Sequence, residues 1–279
     1  MSLRYKIYDR MEAEPFLDHS RFEVFVALSF LETDLAHLET CLCFFLWAFS
    51  TDDLSDEGDL QKKPDDIQTN HEVFLQILYN ADAEQPTYPC AVMLWDLLTR
   101  IRGTGNSGTY YRFVKAFIDF SSSQVRQSRN RNMDYIPPIQ ESILMRRCTI
   151  GAALVEAMVE YSLDLDIPDH VFDDPIVIAR SEAITDIMTW PNVMIVTSQR
   201  KKQADGDHQN FFCALQHAKA IGLQDAINIL TNMISDRVEE YLHLKKKLPS
   251  FGPDIDSVLT RYHTAVGGFT QGCIVLLQP

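Results

Sequence analysis

The residues best placed to do chemistry form a short acidic run. Asp52, Asp53, Asp56 and Glu57 follow directly on a strongly apolar stretch at 42–49. If a helix runs on through them, positions 52, 53 and 56 share one face, because residues three and four apart are neighbours. Carboxylates so placed repel one another and sit at the negative end of the helix dipole. Such a cluster calls for something positive. A hard cation such as Mg²⁺ takes oxygen ligands and keeps several waters, which leaves room for a diphosphate. The spacing is not that of an EF-hand loop, and a solvated acidic turn is the plain alternative. The adjacent cations Arg146 and Arg147 are the second candidate feature, since a planar guanidinium can bond two phosphate oxygens at once. Such a pair serves carboxylate partners equally well.

Helices must position these groups. Phe22, Phe25, Val26, Phe30, Leu35, Leu38, Leu42, Phe45 and Leu46 recur at three- and four-residue steps. The same period predicts helices over about 73–79, 90–101, 110–125, 139–161, 169–198, 209–220, 223–244 and 254–269. Prolines 86, 89, 137, 138, 168, 175, 249 and 253 mostly fall between these runs, where helices start or stop. The span 50–70 reads as a polar insertion, GTGNSG (103–108) as a loop, and only 272–278 leans toward strand composition. The pattern predicts one all-α domain over residues 1–279.

Composition narrows the function. Of 279 residues 39 are acidic and 25 basic, a formal net charge of −14. That balance argues against a nucleic-acid binder, and it leaves an anionic substrate dependent on local cations or metal ions. The apolar stretch at 42–49 is too short to span a bilayer. Residues 1–14 lack the apolar core of a signal peptide. Cysteines 41, 43, 90, 148, 213 and 273 show neither CxxC spacing nor the density of a disulfide scaffold. The expectation is buried thiols in an intracellular, cytoplasmic protein.

Several further segments fit one family. WAFSTDDLSDEGD (47–59) resembles the aspartate-rich motif of class I terpene synthases, especially the fungal sesquiterpene synthases. RRCTIG (146–151) is similar to that group's arginine-arginine-x-threonine-x-glycine segment. IPDHVFDDPIV (167–177), Trp190, QADGDHQN (203–210) and the stretch 248–272 continue the likeness in order. The resemblance implies an all-α helical barrel that binds farnesyl diphosphate or a similar isoprenoid diphosphate with three Mg²⁺. It implies ionisation of the diphosphate and cyclisation of the resulting cation in an aromatic-lined pocket. By match, Asp52 is the principal metal ligand, supported by Asp53 and Asp56. Arg147 senses the diphosphate, and Gly151 marks a helix break whose carbonyl helps trigger ionisation.

The second metal motif departs from the family's asparagine, serine and glutamate at four-residue steps. Counting back from QADGD puts Ser198 on the serine and Lys201 on a diphosphate-binding lysine, with Met194 and Lys202 in the other two places. Counting forward from Trp190 puts Asn192 on the asparagine, but Val196 and Arg200 on the rest. Methionine is a poor ligand for a hard cation, and lysine brings the wrong charge. The resemblance also leads one to expect more sequence before the aspartate-rich motif and a closing arginine-tyrosine pair after 272. Two functions remain open at this level: a Mg²⁺-dependent sesquiterpene synthase, or a catalytically silent relative that at most binds diphosphate. A chain-elongating prenyltransferase would need a second aspartate-rich cluster, and Asp173–Asp174 supplies no third carboxylate. Phe44, Phe45, Trp47, Phe49, Phe113, Phe117 and Phe120 lie at helical spacing, with about two of them expected to face a cavity and the rest to be core.

Overall fold

A computed structural model describes residues 22–56, 63–80, 85–193 and 211–276, and all regular structure among them is helical. Twelve helices are described: Phe22–Ser29 (α1), Leu35–Asp56 (α2), Pro64–Tyr79 (α3), Pro89–Thr104 (α4), Ser107–Asn132 (α5), Ile139–Thr149 (α6), Ala152–Ser162 (α7), Asp169–Phe172 (α8), Pro175–Val193 (α9), Phe211–Lys219 (α10), Leu223–Lys246 (α11) and Pro253–Leu276 (α12). The side chains of 53–56, 192–193 and 274–276 lie outside the described set.

Helix α2 is apolar nearly all round, so it must be buried on most sides. It packs against α4 and α1, while α5 lies against α7, α3 and α6. Trp47, Phe44, Phe113 and Phe117 fill the space between, each 2% exposed or less. The rings of Trp47 and Phe117 stand 5.3 Å apart and those of Phe44 and Phe113 6.1 Å apart. A second, smaller core of Trp190, Phe211, Phe212, Leu215, Ala226 and Leu230 joins α9, α10 and α11, with Ile139 and Ile143 of α6 packed on it. Of the seven aromatics on the α2 and α5 faces, only Phe49 is exposed. Trp47, Phe117 and Phe120 also border a narrow cavity of about 40 Å³ between α2, α3 and α5.

Several boundaries differ from the sequence reading, each for a local reason. The periodic run from Phe22 to Leu46 breaks at 30–34, where Asp34 Oδ1 accepts the backbone N–H groups of Ala36 and His37 and so caps α2. The supposed loop 103–108 shrinks to Gly105 and Asn106, because Asn106 caps α5 through the Thr109 N–H at 2.8 Å. Asp174 caps α9 in the same way, accepting from Ile176 and Val177, so this acid does structural work. The polar span 50–70 is helical at both ends, with only 57–62 outside the described residues. The strand-leaning tail is corrected as well: α12 continues to Leu276. A Cβ at Gly272 would stand 2.8 Å from Ser29 Oγ and 3.8 Å from its Cα, so α1 and α12 approach closely there and the serine side chain would have to turn to admit it.

No disulfide joins the cysteines, and Cys41, Cys43, Cys90 and Cys213 are buried. Burial pushes the Cys43 thiol up to about 11 and that of Cys273 to about 12. Among the described residues no helix is long and apolar enough to cross a membrane.

Candidate active site

Asp52 lies one turn from the end of α2, half-buried, where Gln124 Nε2 of α5 donates to its Oδ1 at 3.4 Å. One turn earlier on α5 is Phe120, whose ring packs on Trp47 of α2 at 6.4 Å. The same ring lies against Gly151: its Cδ2 is 3.7 Å from where a Cβ on that glycine would be. A single turn of α5 thus brings the end of α2 and the break between α6 and α7 to one level. Gly151 makes that break with φ 73°, a left-handed conformation that a residue without a Cβ adopts cheaply. Its N–H donates to Cys148 O and its carbonyl accepts from Val155, leaving one lone pair of that oxygen for anything else.

Arg147 stands one turn before Gly151, on α6, and is fully engaged. Its Nε and Nη2 donate to the two oxygens of Asp186 at 2.8 and 2.7 Å, and its Nη1 lies 2.8 Å from Glu182 Oε2. Arg237 of α11 reaches the same Asp186 oxygen, Oδ2, at 2.9 Å. The Asp186 side chain is 1% exposed, so this is a buried, twice-paired carboxylate. The bond to Asp186, ahead of the opposing effect of burial, holds the Arg147 guanidinium above its ordinary pKa and therefore charged. Arg146, half-buried beside it, has no carboxylate partner among the described residues.

Glu182 also rims a larger cavity, about 260 Å³, between α5, α7, α9, α11 and α12. Its lining mixes Ala153, Ala157 and Val266 with Glu156, Arg180 and Tyr262. Ser181 donates its single proton to Glu156, whose two oxygens both lie 2.7 Å from Oγ. Burial pushes the Glu156 carboxyl above its usual range, against the lowering effect of the Ser181 and Tyr262 bonds. Arg180, 4% exposed, gives Nη2 to Tyr241 Oη at 2.9 Å. Ser181 and position 192 are eleven residues apart on α9, which returns them to the same helix face three turns apart.

The other expected site residues are placed less completely. Asp53 and Asp56 lie in the last turns of α2 and Asn192 in the last turn of α9, but their side chains fall outside the described residues. Ser198 and Lys201, with Met194 and Lys202, lie outside them altogether. Among the described residues no three His, Cys, Asp or Glu side chains gather as a metal cage. The acids that the sequence puts at the end of α2, Asp52, Asp53 and Asp56, offer carboxylate oxygens, and Asp52 is half-buried beside Gln124, a donor set that suits a hard divalent cation.

Sequence reasoning missed Glu182, Asp186 and Arg237. One signal was available: Glu182 and Asp186 are acids one turn apart on a helix rich in apolar residues, so that one of them falls on a buried face and asks for a cation. Which cations cannot be read without placing α6, α9 and α11 side by side.

Comparison with known proteins bears on the family and the fold. Residues 43–240 match the family model for terpene synthase family 2, C-terminal metal binding. Sesquiterpene synthase Agr1 of Cyclocybe aegerita is 29% identical over 231 residues, 83% of this chain and 65% of that protein. Sesquiterpene synthase 1 of Postia placenta is also 29% identical, over 68% of this chain and 55% of its own length. The chain therefore spans 55% to 65% of the length of these relatives. In fold it is similar to linalool/nerolidol synthase from Streptomyces clavuligerus, solved in complex with 2-fluorogeranyl diphosphate. The TM-score is 0.86 at 19% identity, covering 98% of this chain and 93% of that one. With a family model that spans residues 43–240, Asp52, Arg147 and Gly151 among them, and the all-α terpene synthase fold beneath it, the chain belongs to the terpene synthase family.

Proposed function

We propose that this chain is a Mg²⁺-dependent sesquiterpene synthase that ionises farnesyl diphosphate, cyclises the cation and releases diphosphate. The observation that carries this reading is that one turn of α5 meets Asp52 through Gln124 and Gly151 through Phe120, with Arg147 one turn before Gly151 on α6. Asp52, with Asp53, Asp56 and Asn192 nearby in sequence or at the end of α9, would hold the metal. Bound Mg²⁺ supplies positive charge against the diphosphate oxygens and so makes that group easier to lose. Arg147 offers a two-point donor to the same oxygens, and Lys201 a further cation. As the allylic C–O bond breaks, its electron pair leaves with the diphosphate. The Gly151 carbonyl, one turn after Arg147 along the chain, would present the negative end of its dipole, which favours positive charge on carbon.

Purified protein incubated with farnesyl diphosphate and Mg²⁺ tests the reading, with pyrophosphate and volatile products followed together. Metal-dependent release with a terpene product is the expected result. Faster turnover of the ten- or twenty-carbon diphosphate would move the substrate assignment. A second reading, binding without ionisation, is favoured by Lys202 or Arg200 standing where the second motif needs a glutamate. It predicts pyrophosphate binding by folded protein that releases none from the prenyl substrate.

A further inference from the structure

Asp186 is met by more positive charge than a resting carboxylate needs. Arg147 grips both of its oxygens as a fork, and Arg237 bonds Oδ2 from Nε and Nη2, each at 2.9 Å. The third donor of Arg237 goes to Glu240, one turn further along α11. With one arginine alone, Asp186 could not release it, because a buried carboxylate stripped of its partner is an uncompensated charge. With two, one can leave. The other partner of Arg147, Glu182, is 46% exposed and can be rehydrated when the bond breaks.

We propose that Arg237 is a positioning residue: it keeps Asp186 compensated while Arg147 turns from Asp186 and Glu182 toward a diphosphate. Asp186 is then a resting place for Arg147, and α11 enters the chemistry of the site without touching substrate. This rests on the reading of Arg147 as the arginine that meets the diphosphate. Breaking the Arg237 contact should tighten the hold of Asp186 on Arg147 and so weaken anion binding, although Arg237 itself bonds no phosphate oxygen.

The test is calorimetric titration of the full chain with inorganic pyrophosphate in Mg²⁺ buffer, each variant checked by thermal melting. Arg237→Gln is expected to weaken binding about tenfold or more, since Arg147 would then have to abandon a buried charge with no other cation. Arg237→Lys, which keeps the charge but loses the fork, should lose about threefold. The double variant Asp186→Asn, Arg237→Gln should bind within about threefold of wild type, because the resting place is gone. Should Arg237→Gln not fold, the lysine and double variants carry the test. Unchanged binding in Arg237→Gln would overturn the proposal and move the anion contact to Arg146. A loss that persists in the double variant would also overturn it, by showing that Arg237 meets the pyrophosphate directly. Folded wild type that binds no pyrophosphate would refute the diphosphate reading itself, and the role of Arg237 with it.

Discussion

Replacing Gly151 by alanine separates two reasons a protein keeps a glycine. At φ 73° an alanine would be strained by its backbone, at a cost of about 1–2 kcal/mol. Space is not the obstacle, since the nearest atoms to the new Cβ are Phe120 Cδ2 at 3.7 Å and Leu154 Cδ1 at 3.8 Å, ordinary contact distances. Alanine also restricts the unfolded chain, which offsets roughly 0.5 kcal/mol. The net expectation is a loss of about 1 kcal/mol, or a melting temperature lower by roughly 2–4 °C for a chain of this size. Asparagine tolerates the left-handed region better than alanine, so Gly151→Asn should lose about half as much. Gly105 is the control of opposite kind. Its φ is −95°, but a Cβ there would meet Ile101 O at 2.9 Å and Tyr161 Cδ2 at 3.0 Å, so alanine and asparagine should both be harmful. Thermal melts of the four variants decide the matter. An alanine at 151 as stable as wild type, or an asparagine worse than alanine, would refute the claim that backbone conformation alone demands glycine at the α6–α7 break.

Glu160 is 1% exposed and ion-paired with Arg112, which also reaches Asp169. Glu160→Gln should cost about 3 kcal/mol in urea unfolding, the cost of breaking a buried pair from one side. His263 is held down to about 3 by burial, with Arg180 and Lys245 adding to the effect. It stays neutral in the folded protein while the unfolded chain takes up a proton below about pH 6.5. Its contribution is therefore present above pH 6.5 and lost as the pH falls from there toward 3. His263→Gln should flatten that acid limb in melts recorded across the range. Asp52→Asn should lower Mg²⁺-dependent pyrophosphate release about a hundredfold or more while leaving the melting temperature near wild type.

The helices were legible because apolar residues at three- and four-residue steps leave little choice of element. What stayed hidden was where one periodic run becomes two. Nothing in the period of Phe22 to Leu46 marks the break at 30–34, which is made by Asp34 capping α2 with its own carboxylate. The period of the run from Ile139 to Tyr161 does not show the turn at Gly151 either; there the resemblance of RRCTIG supplied the break that the structure has. Composition misled at 272–276, where the segment continues α12, a helix packed along α1, despite its strand-leaning residues. Asp52 could be singled out as a candidate because its acidic neighbours are adjacent in the sequence. The hold on Arg147 could not, since Glu182 and Asp186 are 35 and 39 residues away from it along the chain.

The two halves of the site are unequal, and this bears on which reading of function survives. On α2 the sequence puts Asp52, Asp53 and Asp56 in the last turns of the helix, the residue types a metal requires. On α9 the described carboxylates, Glu182 and Asp186, lie ten and six residues before Asn192. They are committed to Arg147 and Arg237. A carboxylate neutralised by two guanidinium groups makes a poor metal ligand, because the cation would have to displace both of them first. No acid lower on α9 can therefore stand in for the glutamate replaced by Lys202 or Arg200. If the altered motif still assembles a metal site, pyrophosphate should bind far more tightly with Mg²⁺ than without it. If arginines and lysines alone hold the anion, chelating the metal should change its affinity by less than about threefold, and salt should weaken it instead. Titrations with and without a chelator, at two salt concentrations, give the answer. Metal-independent binding would leave the fold of a terpene synthase as a diphosphate binder and refute the catalytic reading.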